Sequence, residues 1–176
     1  MTFFKERLKN IRAFVFDVDG VLSLDTTPLD ENGDPMRTTN VKDGFAIRAA
    51  LRAGFQMGII TGANTRRVRL RYSNLGVEHI YLNSFSKMEC LDDFCAKTGV
   101  AKADILYMGD DLVDFDVMQE VGVSTCPIDA VPEIKAISQY ISDRKGGEGC
   151  VRDVIEQVMR SQQKWFGQEI KGIKAD

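Results

Sequence analysis

The stretch AFVFDVDGVLS, residues 13–23, decides how the chain is read. An apolar run ends on Asp17 and Asp19, two residues apart, with Gly20 next. Along an extended chain, alternate side chains share one side, so both carboxylates leave the end of a strand in one direction. Charge at such a place is costly unless something binds it. The rest of the sequence therefore has to supply a partner.

Working outward, short apolar runs alternate with amphipathic stretches. IRAFVF (11–16), FQMGII (55–60), HIYL (79–82), ILYM (105–108) and GVSTCPI (122–128) read as buried strands. Residues 44–54, 65–76, 86–99, 114–122 and 149–163 carry helical spacing. Strand and helix alternating at this pitch predict an α/β fold with a mainly parallel sheet and helices on both faces, a Rossmann-like three-layer sandwich. Residues 22–40 interrupt the rhythm with Pro28, Asn32-Gly33 and Pro35, and predict a small β-hairpin inserted after the first strand. No boundary divides residues 1–176, which read as one domain with a weakly periodic tail from about residue 165.

In a parallel sheet of this kind, ligands bind at the C-terminal ends of the strands. The polar residues that follow each strand are therefore the candidates. Asp17 and Asp19 follow the first, Thr61 and Gly62 the second, Lys87 the third, and Asp110, Asp111 and Asp114 the fourth. Clustered carboxylates repel one another unless a cation neutralises them, and hard oxygen donors select Mg²⁺. A phosphate monoester adds negative charge that Mg²⁺ and Lys87 would offset together. One carboxylate can attack phosphorus while the second protonates the leaving oxygen and later activates water. Thr61 can serve the phosphoryl group or cap a helix, and Asp111 and Asp114 can support the site or enrich a helix's first turn.

DVDGVL, IITG, the isolated Lys87 and MGDDLVD resemble, in order, the four motifs of the haloacid dehalogenase superfamily. The resemblance implies Asp17 as nucleophile and Asp19 as general acid/base. It places Mg²⁺ on Asp17, the Asp19 backbone carbonyl and Asp110. The intervals from Asp17 to Thr61 and from Thr61 to Asp110 leave no room for a separate cap domain, which points to the capless subfamily. Residues 8–166 further resemble the 3-deoxy-D-manno-octulosonate 8-phosphate phosphatase family, through NVKDGFAIR (40–48), VRLRYSNLGVEHIY (68–81), YMGDDLVDFDVM (107–118) and KGGEGCVRDVIEQV (145–158). That family implies a homotetramer whose neighbouring subunit completes each site, and a role in lipopolysaccharide precursor synthesis. By position, it puts Asn40, Val41, Lys42, Asp43, Gly44, Arg48, Ala63 and Arg71 around a sugar acid phosphate, with Asp19 and Lys87. Without it, Arg48 and Arg71 read as exposed faces of helices.

Two positions depart from the family pattern. Ala63 stands where many members carry a basic residue, and Glu148 makes the late loop GGEG rather than GGRG. GGEG also resembles the phosphatase acting on a nine-carbon 2-keto-3-deoxy sugar acid 9-phosphate, which is the alternative substrate. A phospho-receiver signalling domain shares the residue types. Its phosphorylated Asp, however, lies on a middle strand apart from the acidic pair, whereas here the DxD pair comes first.

Composition narrows the field further. A 176-residue chain that is 44% hydrophobic can build a substantial core, and a net charge of -3 argues against nucleic-acid or anionic-membrane partners. MTFFKERLKN turns charged too early for a signal peptide, so the expected location is the cytoplasm. Cys90, Cys95, Cys126 and Cys150 form no CxxC pair and read as reduced thiols. His79, the single histidine, has no Ser or Cys neighbour to activate.

Overall fold

The computed structural model describes residues 2–165. The expected tail beyond Trp165 lies outside the described residues. Six strands form one sheet: β1 (Ala13–Phe16), β2 (Gln56–Ile60), β3 (His79–Tyr81), β4 (Ile105–Met108), β5 (Val123–Cys126) and β6 (Tyr140–Ile141). Their spatial order is β3-β2-β1-β4-β5-β6, and every pairing is parallel. The helices are α1 (Thr2–Arg7), α2 (Val41–Arg52), α3 (Arg66–Asn74), α4 (Lys87–Thr98), α5 (Phe115–Glu120), α6 (Pro132–Ile137) and α7 (Cys150–Ser161).

β1 shows why two helical layers are needed. Its side chains alternate: Phe14 and Phe16 enter one core with residues of α2, α3 and α7, while Ala13 and Val15 enter the other with residues of α4, α5 and α6. All four are fully buried, as expected for a central strand covered on both faces. The chain steps from β1 through β2 to β3 on one side, then crosses over α4 to β4 on the other. This reversal beside β1 opens the crevice in which such sheets bind ligands.

The five expected strands and five expected helices are all present, several of them trimmed at their ends. The sequence reading missed α1, α6 and β6. Helices α1 and α6 each have six residues, too few to establish a period, and β6 has two. What holds β6 is long-range. Tyr140 stacks on Phe4 at 4.7 Å and donates to Asp153 Oδ2 at 2.9 Å.

The expected hairpin is present in short form, at the tip of a longer irregular arm. Residues 22–40 contain one antiparallel bridge, Leu29 with Pro35, closed by Met36 N donating to Pro28 O and Asp30 N donating to Asp34 O, both at 2.8 Å. Pro28 has no N–H to return the bond that Met36 makes to its carbonyl, which weakens the pairing at that level.

Phe14 packs between Phe16 and Phe55, at 6.1 and 5.2 Å between ring centroids. Phe14→Ala is expected to lower unfolding free energy by about 3–5 kcal/mol, measured by urea denaturation with an unchanged m-value.

Candidate active site

The register of the sheet brings the strand-end residues onto one edge. Phe16 of β1 lies beside Ile59 of β2 and Met108 of β4, so Asp17, Thr61 and Asp110 all emerge just past the same level. Asp17 N donates to Met108 O at 3.1 Å, extending the β1–β4 ladder by one residue, and Val18 N donates to Asp17 Oδ1 at 2.6 Å. The chain then turns at Gly20 with φ of 75°. A Cβ there would fall on the Asp110 carboxylate, so only glycine lets this turn close against the loop after β4.

Asp17, Asp110 and Asp114 offer oxygens that all lie within 4.8 Å of one another. Lys87 enters from the first residue of α4, whose N-terminus Ser86 caps by accepting from Glu89 N. Its Nζ lies 2.9 Å from Asp17 Oδ2 and donates to Asp114 Oδ1 at 2.6 Å. Asp114 is fully buried and also accepts from Tyr107 Oη at 2.6 Å and Asp110 N at 3.2 Å. It therefore positions Lys87 and the Asp110 loop at once.

The electrostatics follow from crowding. Burial raises Asp17 above the ordinary carboxylate range and Asp114 raises it further, against the opposing pull of Lys87. Burial, then Asp17 and Asp114, push Asp110 to about 8. Burial alone would lower Lys87, yet Asp17 and Asp114 outweigh it and hold its ammonium above the usual value. One ammonium among three carboxylates leaves the group short of positive charge. An all-oxygen donor set of this kind fits a hard divalent cation.

Asp19 stands apart, half-exposed, paired with Arg37 from the arm after β1. Arg37 Nη2 donates to Asp19 Oδ2 at 2.8 Å, and Nε lies 2.8 Å from Oδ1. The sequence reading missed Arg37, which lies in a stretch without periodicity. It also missed Tyr107, which looks like one more apolar residue in ILYM.

The remaining candidates fall in several places. Thr61 is buried and its Oγ1 accepts from Ala63 N at 3.1 Å; the cap of α3 is Thr65, which accepts from Arg67 N. Ala63 is itself buried. Asp111 is exposed and accepts from Leu112 N, capping a short 3-10 turn. Asn40 caps α2 and donates to Gly147 O at 3.1 Å, while Val41 and Lys42 are exposed on the first turn of α2. Asp43 does not present its carboxylate to solvent. It is 2% exposed and accepts from Arg152 N at 2.7 Å, serving as the cap that Gly149 cannot provide for α7. Burial raises it to about 6. Gly44 leaves space for Arg71, whose Nη2 would lie 2.8 Å from any Cβ there. Arg71, with Arg37, lines a groove of 540 Å³ between the arm and α3. Arg48 donates to Asn74 O at the C-terminal end of α3. His79 begins β3, at the sheet edge opposite the crevice, with its ring edge-on to Phe94. All four cysteines are free thiols.

Comparison with known proteins places the chain in a family. The haloacid dehalogenase-like hydrolase family matches residues 60–155. The 3-deoxy-D-manno-octulosonate 8-phosphate phosphatase of Salmonella typhi is 36% identical over 158 residues, covering 90% of this chain and 84% of that protein. The chain belongs to this phosphatase family of haloacid dehalogenase-like hydrolases. The crystal structure of the Yersinia pestis phosphatase superposes with a TM-score of 0.90 at 30% identity, covering 99% of this chain and 91% of that one. The Moraxella catarrhalis phosphatase, in complex with magnesium ion, phosphate ion and KDO, gives 0.89 at 30% identity, over 94% and 95% of the two chains.

The raised carboxylates set a pH dependence for the metal-free protein. Asp110, at about 8, and Asp17, also raised, keep protons when folded that they lose near pH 4 when unfolded. Their effect is thus to lower stability as pH rises from about 4 through about 8. A divalent cation displaces those protons, so the rise in Tm on adding Mg²⁺ over EDTA should be larger at pH 8 than at pH 6. Equal shifts at both pH values would contradict this account.

Proposed function

We propose that this protein is a Mg²⁺-dependent phosphatase that hydrolyses 3-deoxy-D-manno-octulosonate 8-phosphate to the free sugar acid and phosphate, supplying lipopolysaccharide precursors in the cytoplasm. The observation that carries the proposal is the Asp17–Lys87–Asp114 cluster beside Asp110, in a chain of this phosphatase family. Asp17, Asp110 and the Asp19 carbonyl are assigned as the Mg²⁺ ligands, and the ion would offset phosphoryl charge and orient the ester.

This chain's own residues then divide the work. Lys87 holds one Asp17 oxygen and Val18 N the other, so the nucleophile is oriented before substrate arrives. Asp17 attacks phosphorus, the P–O bond to the sugar breaks, and Asp19 gives its proton to the departing oxygen. Asp19 then takes a proton from water, which attacks the phosphorus of the aspartyl phosphate and releases phosphate with Asp17 restored. Thr61 and Lys87 are assigned to the phosphoryl oxygens. Lys42, Arg71 and neighbouring residues of the α2 N-terminus are assigned to the sugar acid's negative charge.

Completion of the site by a neighbouring subunit, in a homotetramer, is part of the same proposal. Phe85, Leu112 and Val113 flank the strand-end residues and are 95%, 58% and 66% exposed, an unusual concentration of apolar surface beside a polar crevice. Sedimentation of the purified protein should give a species of four chains; a monomer that retains full activity would remove this element. Among the described residues, no helix is long and apolar enough to cross a membrane.

The deciding experiment is phosphate release with Mg²⁺ across eight- and nine-carbon sugar acid phosphates and simple sugar phosphates, compared as kcat/KM. The eight-carbon ester should lead, and Asp17→Asn should lower kcat by about a thousandfold or more while leaving the fold intact. Glu148 is exposed in a groove of 440 Å³ with Asn40 and Lys42. Glu148→Arg should therefore shift the ratio between eight- and nine-carbon substrates; an unchanged ratio would take Glu148 out of selectivity.

A further inference from the structure

The arm after β1 contains one side chain whose burial does not match its surroundings. Residues 31–36 are all exposed, yet the Arg37 side chain is 14% exposed, with its guanidinium turned inward onto Asp19. Taking an always-charged guanidinium out of water is unfavourable unless a partner compensates. Nη2 donates to Asp19 Oδ2 at 2.8 Å, while Nε lies 2.8 Å from Oδ1 as an ion contact without hydrogen-bond geometry. One charge-assisted hydrogen bond and a second close ion contact restrict how the carboxylate can turn.

The backbone under Arg37 is also tied down. Thr38 N donates to Ser23 Oγ at 2.9 Å, and Leu24 N donates to Thr38 Oγ1 at 3.0 Å. Ser23 is fully buried, its own N donates to Val18 O at 2.8 Å, and it forms an isolated bridge with Asp19. The far end of the arm is thus fastened to the turn that carries Asp19. A long loop closed in this way holds residue 37 beside residue 19, although they are distant along the chain.

From this geometry we infer that Arg37 is a positioning residue for the reaction: it holds the Asp19 carboxyl in the orientation needed to pass a proton to the leaving oxygen. The inference rests on the proposed phosphatase reading, in which Asp19 is the acid/base group. Asp17 does not need this help, because Val18 N and Lys87 already hold both its oxygens. Asp19 does need it, since its side chain is 47% exposed and Arg37 is what grips it. A general acid left free to rotate loses much of its effect through misalignment.

Leaving-group dependence isolates this role. Departure of a sugar alkoxide requires a proton, whereas departure of a dinitrophenolate does not, and kcat/KM reports the sequence through that departure. Arg37→Gln should lower kcat/KM for a sugar phosphate by about tenfold to a hundredfold and that for dinitrophenyl phosphate by less than about threefold. Arg37→Lys keeps the charge but not the fork, so it should restore only part of the loss. In an Asp19→Asn background, Arg37→Gln should cost nothing further, because its route of action is gone. The Mg²⁺ concentration for half-activation should stay unchanged in Arg37→Gln.

Three results would overturn the inference. They are equal losses on both substrates, a raised KM with unchanged kcat (Arg37 binding substrate directly), and additive losses with Asp19→Asn. If the wild-type protein releases phosphate from neither ester, the phosphatase reading itself fails. If it is active and Arg37→Gln matches it, only the positioning role fails.

Discussion

The rest of the structure depends on one electrostatic constraint: Asp17, Asp110 and Asp114 converge at the ends of β1 and β4, with Lys87 as the ammonium among them. Like charges this close in a low-dielectric setting cannot all ionise without compensation. The solution has several parts. Asp114 is fully satisfied by Lys87, Tyr107 and a backbone N–H, which turns one carboxylate into scaffold. Asp17 and Asp110 keep raised affinities for protons, through burial and the charge of neighbouring carboxylates. Gly20 exists to let the two loops close enough for this to happen.

The order of the sheet follows from the same requirement. Placing β1 between β2 and β4 puts Asp17 beside Thr61 on one flank and Asp110 on the other. Lys87 then reaches across from α4, on the opposite helical layer. The arm of residues 22–40 reaches in from outside the sheet and brings Arg37 to Asp19. Asp17 and Asp19, only two residues apart, are thus gripped by elements from different parts of the molecule. That separation leaves one carboxylate buried beside Lys87 and the other half-exposed beside Arg37.

Much of this was readable without coordinates. The five longer strands announced themselves as apolar runs, and DVDGVL, IITG, Lys87 and MGDDLVD stood at their ends in the right order. What was not readable had long-range causes. Asp43 was expected near the substrate by its position in the family resemblance. Its carboxylate instead caps α7, far along the chain, because Gly149 has no side chain to do so. The hairpin's turn residues were genuine, and the pairing between its arms is a single bridge, Leu29 with Pro35.

By itself, then, the sequence determined the succession of strands and helices, the edge on which chemistry collects, and the residue types that make it phosphoryl chemistry. Those properties are carried by local periodicity and chain order, which act over a few residues at a time. Only the tertiary structure decided that Asp114 serves Lys87 and Tyr107, that Asp43 serves a helix, and that Arg37 holds Asp19. Each of those pairings joins charges or dipoles from separate segments, and burial makes each of them count. No periodic signal encodes such a pairing, because it exists only once the chain has closed on itself.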